Sequence, residues 1–456
     1  MPRRPVCSAT SRFSVASRVE TCFRELSEKL CAGVCAGEVL LLNYQGEDSD
    51  FVRLNSNKVR QAGHVRQQTL HLDLINKGRE TSASLPLTGQ LDDDLARAQS
   101  VLGRLREQLP LLPEDPHLNY AGEVQNSSHH GDNTLPAANE ALEQLLNAAD
   151  GLDLVGVWAG GEMSHGFANS LGQFNWHSAC SFNLDWSIYR EGDKAVKQNY
   201  AGFAWDSEIL MQKIARGRDT LELLGQRPRT LEPGQYRVFL TPTALNELMK
   251  MVSWGGFGLK SHRTAQTPLL GMVREGVALH KDVTIREHHA DGLTPRFTRA
   301  GFIKPDSVEL IKDGTYRDCL ANRRSAREYN AAVNCGIENP QSLHIAGGAL
   351  NRDDVFNALD SGLYISNLWY CNFSDRNHCR ITGMTRFACL WVEQGKPVAP
   401  VNVMRFDESI YHILGDRLEG LTREREHILD TGSYGWRSDA SARLPGALVN
   451  DFTFTL

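Results

Sequence analysis

The spacing of apolar residues changes along the first third of the chain. The first thirty residues carry an apolar side chain every three or four positions, at Val15, Val19, Phe23, Leu26 and Leu30. This spacing predicts an amphipathic helix. From residue 38 to 88 apolar and polar positions alternate instead, and polar turns at residues 55–57 and 76–78 separate the runs. The alternation predicts an antiparallel meander of strands.

The remaining pattern divides the chain into two regions. Helices are predicted at residues 92–108, 138–148 and 208–224, strands at 154–158, 166–169 and 180–189, and a polar loop at 125–133. A linker with two prolines follows at 226–234, and beyond it a strand at 236–240 and a helix at 244–254 precede short alternating runs. We therefore expect an α+β protein with an N-terminal α/β region at 12–225 and a β-rich domain at 232–456.

Composition and charge narrow the class of protein. A formal net charge of -6 and a pI near 6.2 provide no basic face, which disfavours nucleic-acid binding. No apolar run approaches membrane-spanning length, so we expect no membrane association. The ten cysteines include no C-x-x-C pair and do not match a disulfide framework or a zinc site. We therefore interpret them as thiols in a reducing compartment and expect a cytoplasmic protein.

Common catalytic motifs are missing from the sequence. It has no G-x-S-x-G, no phosphate-binding loop of the Walker type and no H-E-x-x-H. The adjacent histidines at 129–130 and 288–289 are poor joint metal ligands, because neighbouring side chains on a strand point to opposite faces. Local motifs therefore leave the activity open.

Several segments resemble the TldD/PmbA (TldE) family of peptide-processing proteins. They include the strand pair FVRLNSNKVRQAG at 51–63, the segments at 166–174 and 181–189, and PGQYRVFLTP at 233–242. Later matches are GLYISNL at 362–368, RITGMTR at 380–386 and WVEQGKPVAP at 391–400. Their order and spacing agree over most of the chain, and the resemblance implies the α+β fold of that family.

The resemblance also implies where a metal would be held. Active TldD-type subunits carry H-E-x-x-x-H on the helix after the strand at 236–240, together with a later cysteine, whereas TldE/PmbA partners lack these residues. Here the corresponding positions are Asn246, Glu247 and Met251, and no cysteine follows Cys389. Asn is a poor zinc ligand, and Met prefers softer metals. We therefore expect no catalytic residue and no metal in this chain, with zinc only in a TldD-like partner.

Three hypotheses about function follow from the resemblance. The preferred one is a non-catalytic TldE/PmbA-like subunit that joins a TldD-like catalytic subunit and helps to bind a peptide substrate at a sheet edge. The second is an independently active metallopeptidase with other ligands among His280, Glu287, His288 and Cys371. The third is a modulator that acts by protein contact, as gyrase modulators do. The sequence does not decide whether the chain alone forms a homodimer.

Peptide-binding residues are predicted in two segments near this helix. Glycines allow a peptide backbone to approach closely, and arginines hold a carboxylate through forked hydrogen bonds. The candidates are Gly255, Gly256, Gly258, Arg376, Arg380 and Arg386. The polar segment around Cys371, from Tyr370 to Arg380, is expected to be a structured loop or a groove wall.

Overall fold

The fold is described from a computed structural model. It covers residues 13–192 and 194–456, with side chains from residue 18 onward. Cys7 and the side chain of Val15 therefore lie outside the described part of the chain.

The N-terminal half consists of a sheet with helices on it. Its elements in chain order are α1 (Phe13–Ala32), β1 (Glu38–Asn55), β2 (Lys58–Asn76), β3 (Arg79–Pro86), α2 (Leu91–Gln108), β4 (Ser127–His130), α3 (Ala138–Ala148), β5 (Asp153–Asn169), β6 (Phe174–Glu191), β7 (Lys194–Gly202) and α4 (Ser207–Leu223). The strands form one sheet in the order β3-β2-β1-β5-β6-β4, and β7 also pairs with β6. The antiparallel pairing of β1, β2 and β3 confirms the predicted meander.

Two predictions for this half were wrong. The two strands predicted at 154–158 and 166–169 are one continuous strand, β5, because β1 and β6 pair with it along most of its length. Gly161 lies inside β5 with φ 153°, where a Cβ would overlap the carbonyl oxygen of Asp48. The polar segment predicted as a loop contains β4, which pairs in parallel with β6.

The C-terminal half contains the larger sheet. Its elements are β8 (Gly234–Leu240), α5 (Pro242–Ser253), α6 (Leu259–Arg263), β9 (Ile285–Glu287), β10 (Val308–Lys312), β11 (Thr315–Tyr316), α7 (Arg323–Tyr329), β12 (Ser342–Ile345), α8 (Val355–Leu359), β13 (Gly362–Ile365), β14 (Asn367–Asp375), β15 (Arg380–Arg386), β16 (Leu390–Glu393), β17 (Lys396–Pro400), β18 (Arg405–Ser409), β19 (Leu418–Leu429) and β20 (Ser441–Phe454). Short 3-10 and π turns connect some of them.

The larger sheet has thirteen strands and is organised around β20. The main order is β11-β10-β9-β12-β20-β8-β13-β16-β17, while β19 and the series β18-β15-β14 attach to β20 as well. The main core lies between this sheet and α5, and it includes Val238, Leu248, Phe406, Ala447 and Phe452. With mixed helices and mainly antiparallel strands, the chain has the α+β fold that its sequence predicts.

The two sheets share no paired strands within the described residues. The division into domains at 12–225 and 232–456 stays a prediction, which limited proteolysis at the connecting segment would test. No helix in the described part of the chain combines the length and apolar character needed to cross a membrane. None of the nine cysteines in the described part of the chain forms a disulfide bond.

Candidate functional site beside helix α5

Helix α5 is the element on which the resemblance predicts a metal site. It follows β8, an interior strand of the larger sheet. The hydroxyl of Thr241 accepts a hydrogen bond from the backbone N–H of Ala244 at 3.2 Å, and Pro242 occupies the first turn. Both features favour a helix start at this point. Its apolar side is buried through Leu245, Leu248, Met249 and Val252.

The three degenerate metal-site positions do not converge. Asn246 is buried and lines a groove of about 120 Å³ on one side of α5. Met251 is absent from that lining and packs instead against the main core. Glu247 is half-buried, and its carboxylate forms an ion pair of 3.0 Å with Lys250.

The side chains that line the groove do not fit a zinc ion. The lining consists of Asn246, Met249, Lys250, Ser253, Asn339, Pro340, Leu343, Ile428, Asp430, Ala440, Ser441 and Ala442. It holds one carboxylate, no imidazole and no thiol, and it contains the ammonium group of Lys250. A catalytic zinc needs about three nitrogen, sulfur or carboxylate ligands. The donor set therefore disagrees with the metal chemistry of active family members.

The alternative ligands predicted from the sequence are dispersed. His280 lies beside Asp282, while the carboxylate of Glu287 accepts backbone hydrogen bonds from residues 341 and 342. Burial, followed by the charge of Glu247, raises the pKa of Cys371 to about 12, so its thiol stays protonated at neutral pH. Of these four residues, only His288 belongs to a group of three potential ligands within the described residues, together with Asp291 and His344, and none of the three lies on α5.

Strand β14 forms an exposed edge next to α5. Within the described residues it pairs only with β15, so one side of its backbone has no strand partner. The segment predicted as a loop or groove wall is therefore largely a strand pair, because β14 and β15 satisfy each other's backbone groups. Trp369 and Tyr370 are 45% and 71% exposed on this edge, where a bulge gives Tyr370 a φ of 57°. A free edge with exposed aromatic side chains suits the addition of an extended peptide.

The three candidate arginines differ in what they already bind. Arg376 donates hydrogen bonds to the carbonyl oxygens of residues 254 and 266 and lies over two aromatic rings. Arg380 donates to the carboxylate of Asp407 at 2.6 Å and to its carbonyl oxygen at 3.0 Å. The guanidinium of Arg386 lies 3.8 Å from the ring centre of Trp369 and forms no hydrogen bond within the described residues. Arg386 is thus the member of the set whose guanidinium donors are all without a hydrogen-bond partner in the described residues.

The candidate glycines lie against the protein's own atoms. Gly255 has a φ of 80°, and a Cβ there would lie 2.7 Å from Nη2 of Arg376. A Cβ on Gly256 would overlap the carbonyl oxygen of Val252 in the last turn of α5. A Cβ on Gly258 would lie 2.8 Å from a carboxylate oxygen of Glu338. Intramolecular packing therefore explains the absence of side chains at all three positions, and their role in peptide binding stays a prediction.

Sequence reasoning missed the wall of the groove opposite α5. This wall includes Asn339, Asp430 and Ser441, which come from separate segments around β12, β19 and β20. No local motif marks these residues, because the pairing of β12 and β19 with β20 brings them together.

The fold defines an α+β protein, and the family match that follows relates it to peptidases. Residues 233–456 match the PmbA/TldA metallopeptidase C-terminal domain, and the match includes β8, α5 and the exposed strand β14. The chain belongs to the TldD/PmbA (TldE) family. No curated protein sequence matches it.

Solved structures share this fold at low sequence identity. A putative modulator of a DNA gyrase from Thermotoga maritima is 14% identical, with a TM-score of 0.74 over 95% of this chain and 100% of that chain. TldE from Thermococcus kodakarensis has the same identity, TM-score and coverage. A putative modulator of DNA gyrase from Bacteroides thetaiotaomicron is 15% identical, with a TM-score of 0.69 over 95% of this chain and 98% of that chain.

Proposed function

We propose that this chain is a non-catalytic, TldE/PmbA-like subunit of a TldD/TldE-type metalloprotease that degrades or matures peptides. The observation that carries the proposal is the donor set beside α5. Asn246, Lys250 and Ser253 face the groove where active family members are expected to present metal ligands. In this proposal a TldD-like partner supplies zinc, and the present chain supplies binding surface.

The exposed edge of β14 supports a role in peptide binding. A peptide that adds to this edge would form main-chain hydrogen bonds with the unpaired side of the strand. The aromatic rings of Trp369 and Tyr370 would cover the side chains of the bound peptide. The free donors of Arg386 would bind a carboxylate of the peptide. The proposed contribution to catalysis is therefore to position the peptide.

Co-expression with the H-E-x-x-x-H paralogue of the same organism tests this function. Size-exclusion chromatography with light scattering should show a mixed complex, and peptide cleavage should require both chains. The chain alone, measured in the same way, shows whether it forms a homodimer. A mixture that never associates, or a TldD-like partner that cleaves equally well alone, would disprove the proposal.

The same preparations separate the other hypotheses. Chelator-sensitive cleavage by the present chain alone would favour an active peptidase with other ligands. Capture of a non-protease protein from the cytoplasm of the source cell, without any TldD-like subunit, would favour a contact modulator. Cell fractionation of the tagged chain would test the proposed cytoplasmic location.

A further inference from the structure

A row of basic side chains crosses the larger sheet on the face opposite the groove. In the registers of β12, β20 and β19, His344 pairs with Arg443 and Arg443 pairs with His427. Paired residues share one face of a sheet, and their sequence neighbours point to the other face. The neighbours Leu343, Ala442 and Ile428 line the groove beside α5, so the basic row lies on the other side of the same three strands.

Positive charge exceeds negative charge around this row. Arg425 lies two residues before His427 on β19, and its electrostatic effect reaches His344. Asp291 is the nearest carboxylate, and one of its oxygens lies 3.7 Å from Nη1 of Arg443. Arg286 pairs with His344 in the sheet register. The charge of Arg286 is neutralised by an ion pair of 2.8 Å between its Nη2 and the carboxylate of Glu309. Two guanidinium groups therefore share one carboxylate.

Two ring nitrogens of the histidines in this cluster have no hydrogen-bond partner in the described residues. His288 stacks on His344 with 4.8 Å between ring centres, and its Nδ1 lies 3.8 Å from the carboxylate of Asp291, beyond hydrogen-bond distance. Nδ1 of His288 and Nε2 of His427 are both buried and form no hydrogen bond within the described residues. Buried polar atoms in proteins nearly always have a partner.

Burial, and after it the neighbouring positive charges, lower the pKa values of the cluster. Burial, then the neighbouring His288 and Arg443, lower the pKa of His344 to about 3. Burial and Arg443 likewise lower the pKa of His427 to about 4. Burial, then Arg443, lowers the pKa of Arg425. A negative charge at this position would relieve the repulsion.

We propose that Arg425, Arg443 and the adjacent histidines form a binding site for an oxyanion, either a carboxylate or a phosphate. Arg425 is exposed, and Asp291 and Arg443 are partly exposed, so the site opens to solvent. Guanidinium groups bind both kinds of oxyanion through paired N–H donors, and the imidazoles supply further donors. The site is separate from the groove and does not depend on the proposed subunit function.

A cation fits the same cluster less well. One ligand atom from each of His288, Asp291 and His344 lies within 4.8 Å of the other two, which is close enough for all three to bind one metal ion after small movements. However, Arg443 already contacts the carboxylate of Asp291, and both guanidinium groups would repel the metal. The charge balance therefore favours an anion.

Isothermal titration calorimetry on the full chain, at constant ionic strength, tests the proposal. Inorganic phosphate is one ligand, and a short peptide with a free C-terminal carboxylate, compared with its C-terminal amide, is the other. Arg425→Gln should weaken binding by about tenfold or more, since charge-assisted hydrogen bonds contribute about 1.5–3 kcal/mol. The matched control is Arg423→Gln, an exposed arginine two residues earlier on the same strand, which should bind like the wild type.

Each outcome of this titration decides the proposal. Binding of phosphate alone identifies a phosphate site, and binding of the free acid but not the amide identifies a carboxylate site. Either result supports the proposal when Arg425→Gln weakens that binding, which also separates this site from the proposed peptide contact at Arg386. If neither ligand binds, or if Arg425→Gln binds both as the wild type does, the proposal is wrong. Tight binding of Zn²⁺ or Mn²⁺ that is lost in His344→Ala would also overturn it, because the cluster would then be a cation site.

Discussion

The guanidinium of Arg386 lies over the indole ring of Trp369 at 3.8 Å, on the exposed edge of the larger sheet. Stacking holds the arginine in place and leaves its N–H donors without hydrogen-bond partners in the described residues. Arg380 lies six residues earlier on the same strand and donates hydrogen bonds to the carboxylate and the carbonyl oxygen of Asp407. Two arginines of one strand are therefore expected to have different roles.

Arg386→Gln should weaken peptide binding by the mixed complex. Loss of a charge-assisted hydrogen bond to a peptide carboxylate corresponds to about tenfold or more in affinity. Fluorescence anisotropy with a labelled peptide measures the effect. Arg405→Gln, an exposed arginine on β18, is the control and should change affinity little. Equal affinities for wild type and Arg386→Gln would remove this residue from the proposed site.

Arg380→Ala should chiefly reduce stability. The substitution leaves the half-buried carboxylate of Asp407 without its guanidinium partner, which we expect to cost about 1 kcal/mol for a partly exposed pair. Urea denaturation of the single chain measures this loss. A large loss of peptide binding with unchanged stability would instead support the carboxylate-binding role predicted from the sequence.

The purified chain should retain far less than one zinc per molecule after dialysis. The residues that line the groove beside α5 provide two amides, an ammonium group, hydroxyls and one carboxylate, which is an unsuitable donor set for zinc. Elemental analysis by mass spectrometry measures the metal content, and a TldD-like paralogue treated in parallel is the control. About one zinc per chain, together with chelator-sensitive peptidase activity, would contradict this expectation.

Acid should destabilise the fold through its buried histidines. Burial, then the nearby His165 and His129, lower the pKa of His177 to about 3, and its Nε2 donates to the carbonyl oxygen of Leu293 at 3.0 Å. The folded pKa lies below the unfolded value near 6.5, so the stabilisation is present above pH 6.5 and is lost as pH falls toward 3. At pH 5 the loss for this histidine is ~2 kcal/mol at most.

Urea denaturation between pH 7 and 5 tests the role of His177. His177→Gln cannot be protonated and can still donate to Leu293, so its stability should fall less over this range than that of the wild type. His378→Gln is the control, because its side chain is 80% exposed. A parallel decline for the wild type and His177→Gln would show that other groups control the acid sensitivity.

Local pattern predicts those elements whose periodicity is clear over a whole element. The alternation at residues 38–88 and the helix predicted at 244–254 belong to this group, and the structure confirms them. The sequence also shows directly that positions 246 and 251 carry asparagine and methionine, where the resemblance places histidines. These features depend on neighbouring residues, whose spacing decides which side of a helix or strand is apolar.

Tertiary structure decides the features that depend on distant partners. Strand β4 exists because β6 satisfies its backbone groups, although its polar sequence is typical of a loop. Arg380 and Asp407 meet because β15 pairs with β18, and His344, Arg443 and His427 meet because β12 and β19 both pair with β20. By itself, the sequence determined the α+β class and the absence of histidine at residues 246 and 251, since both depend on residue identity and local spacing. Only the fold decided which charges are paired and which remain free, because strand pairing brings together residues that lie far apart along the chain.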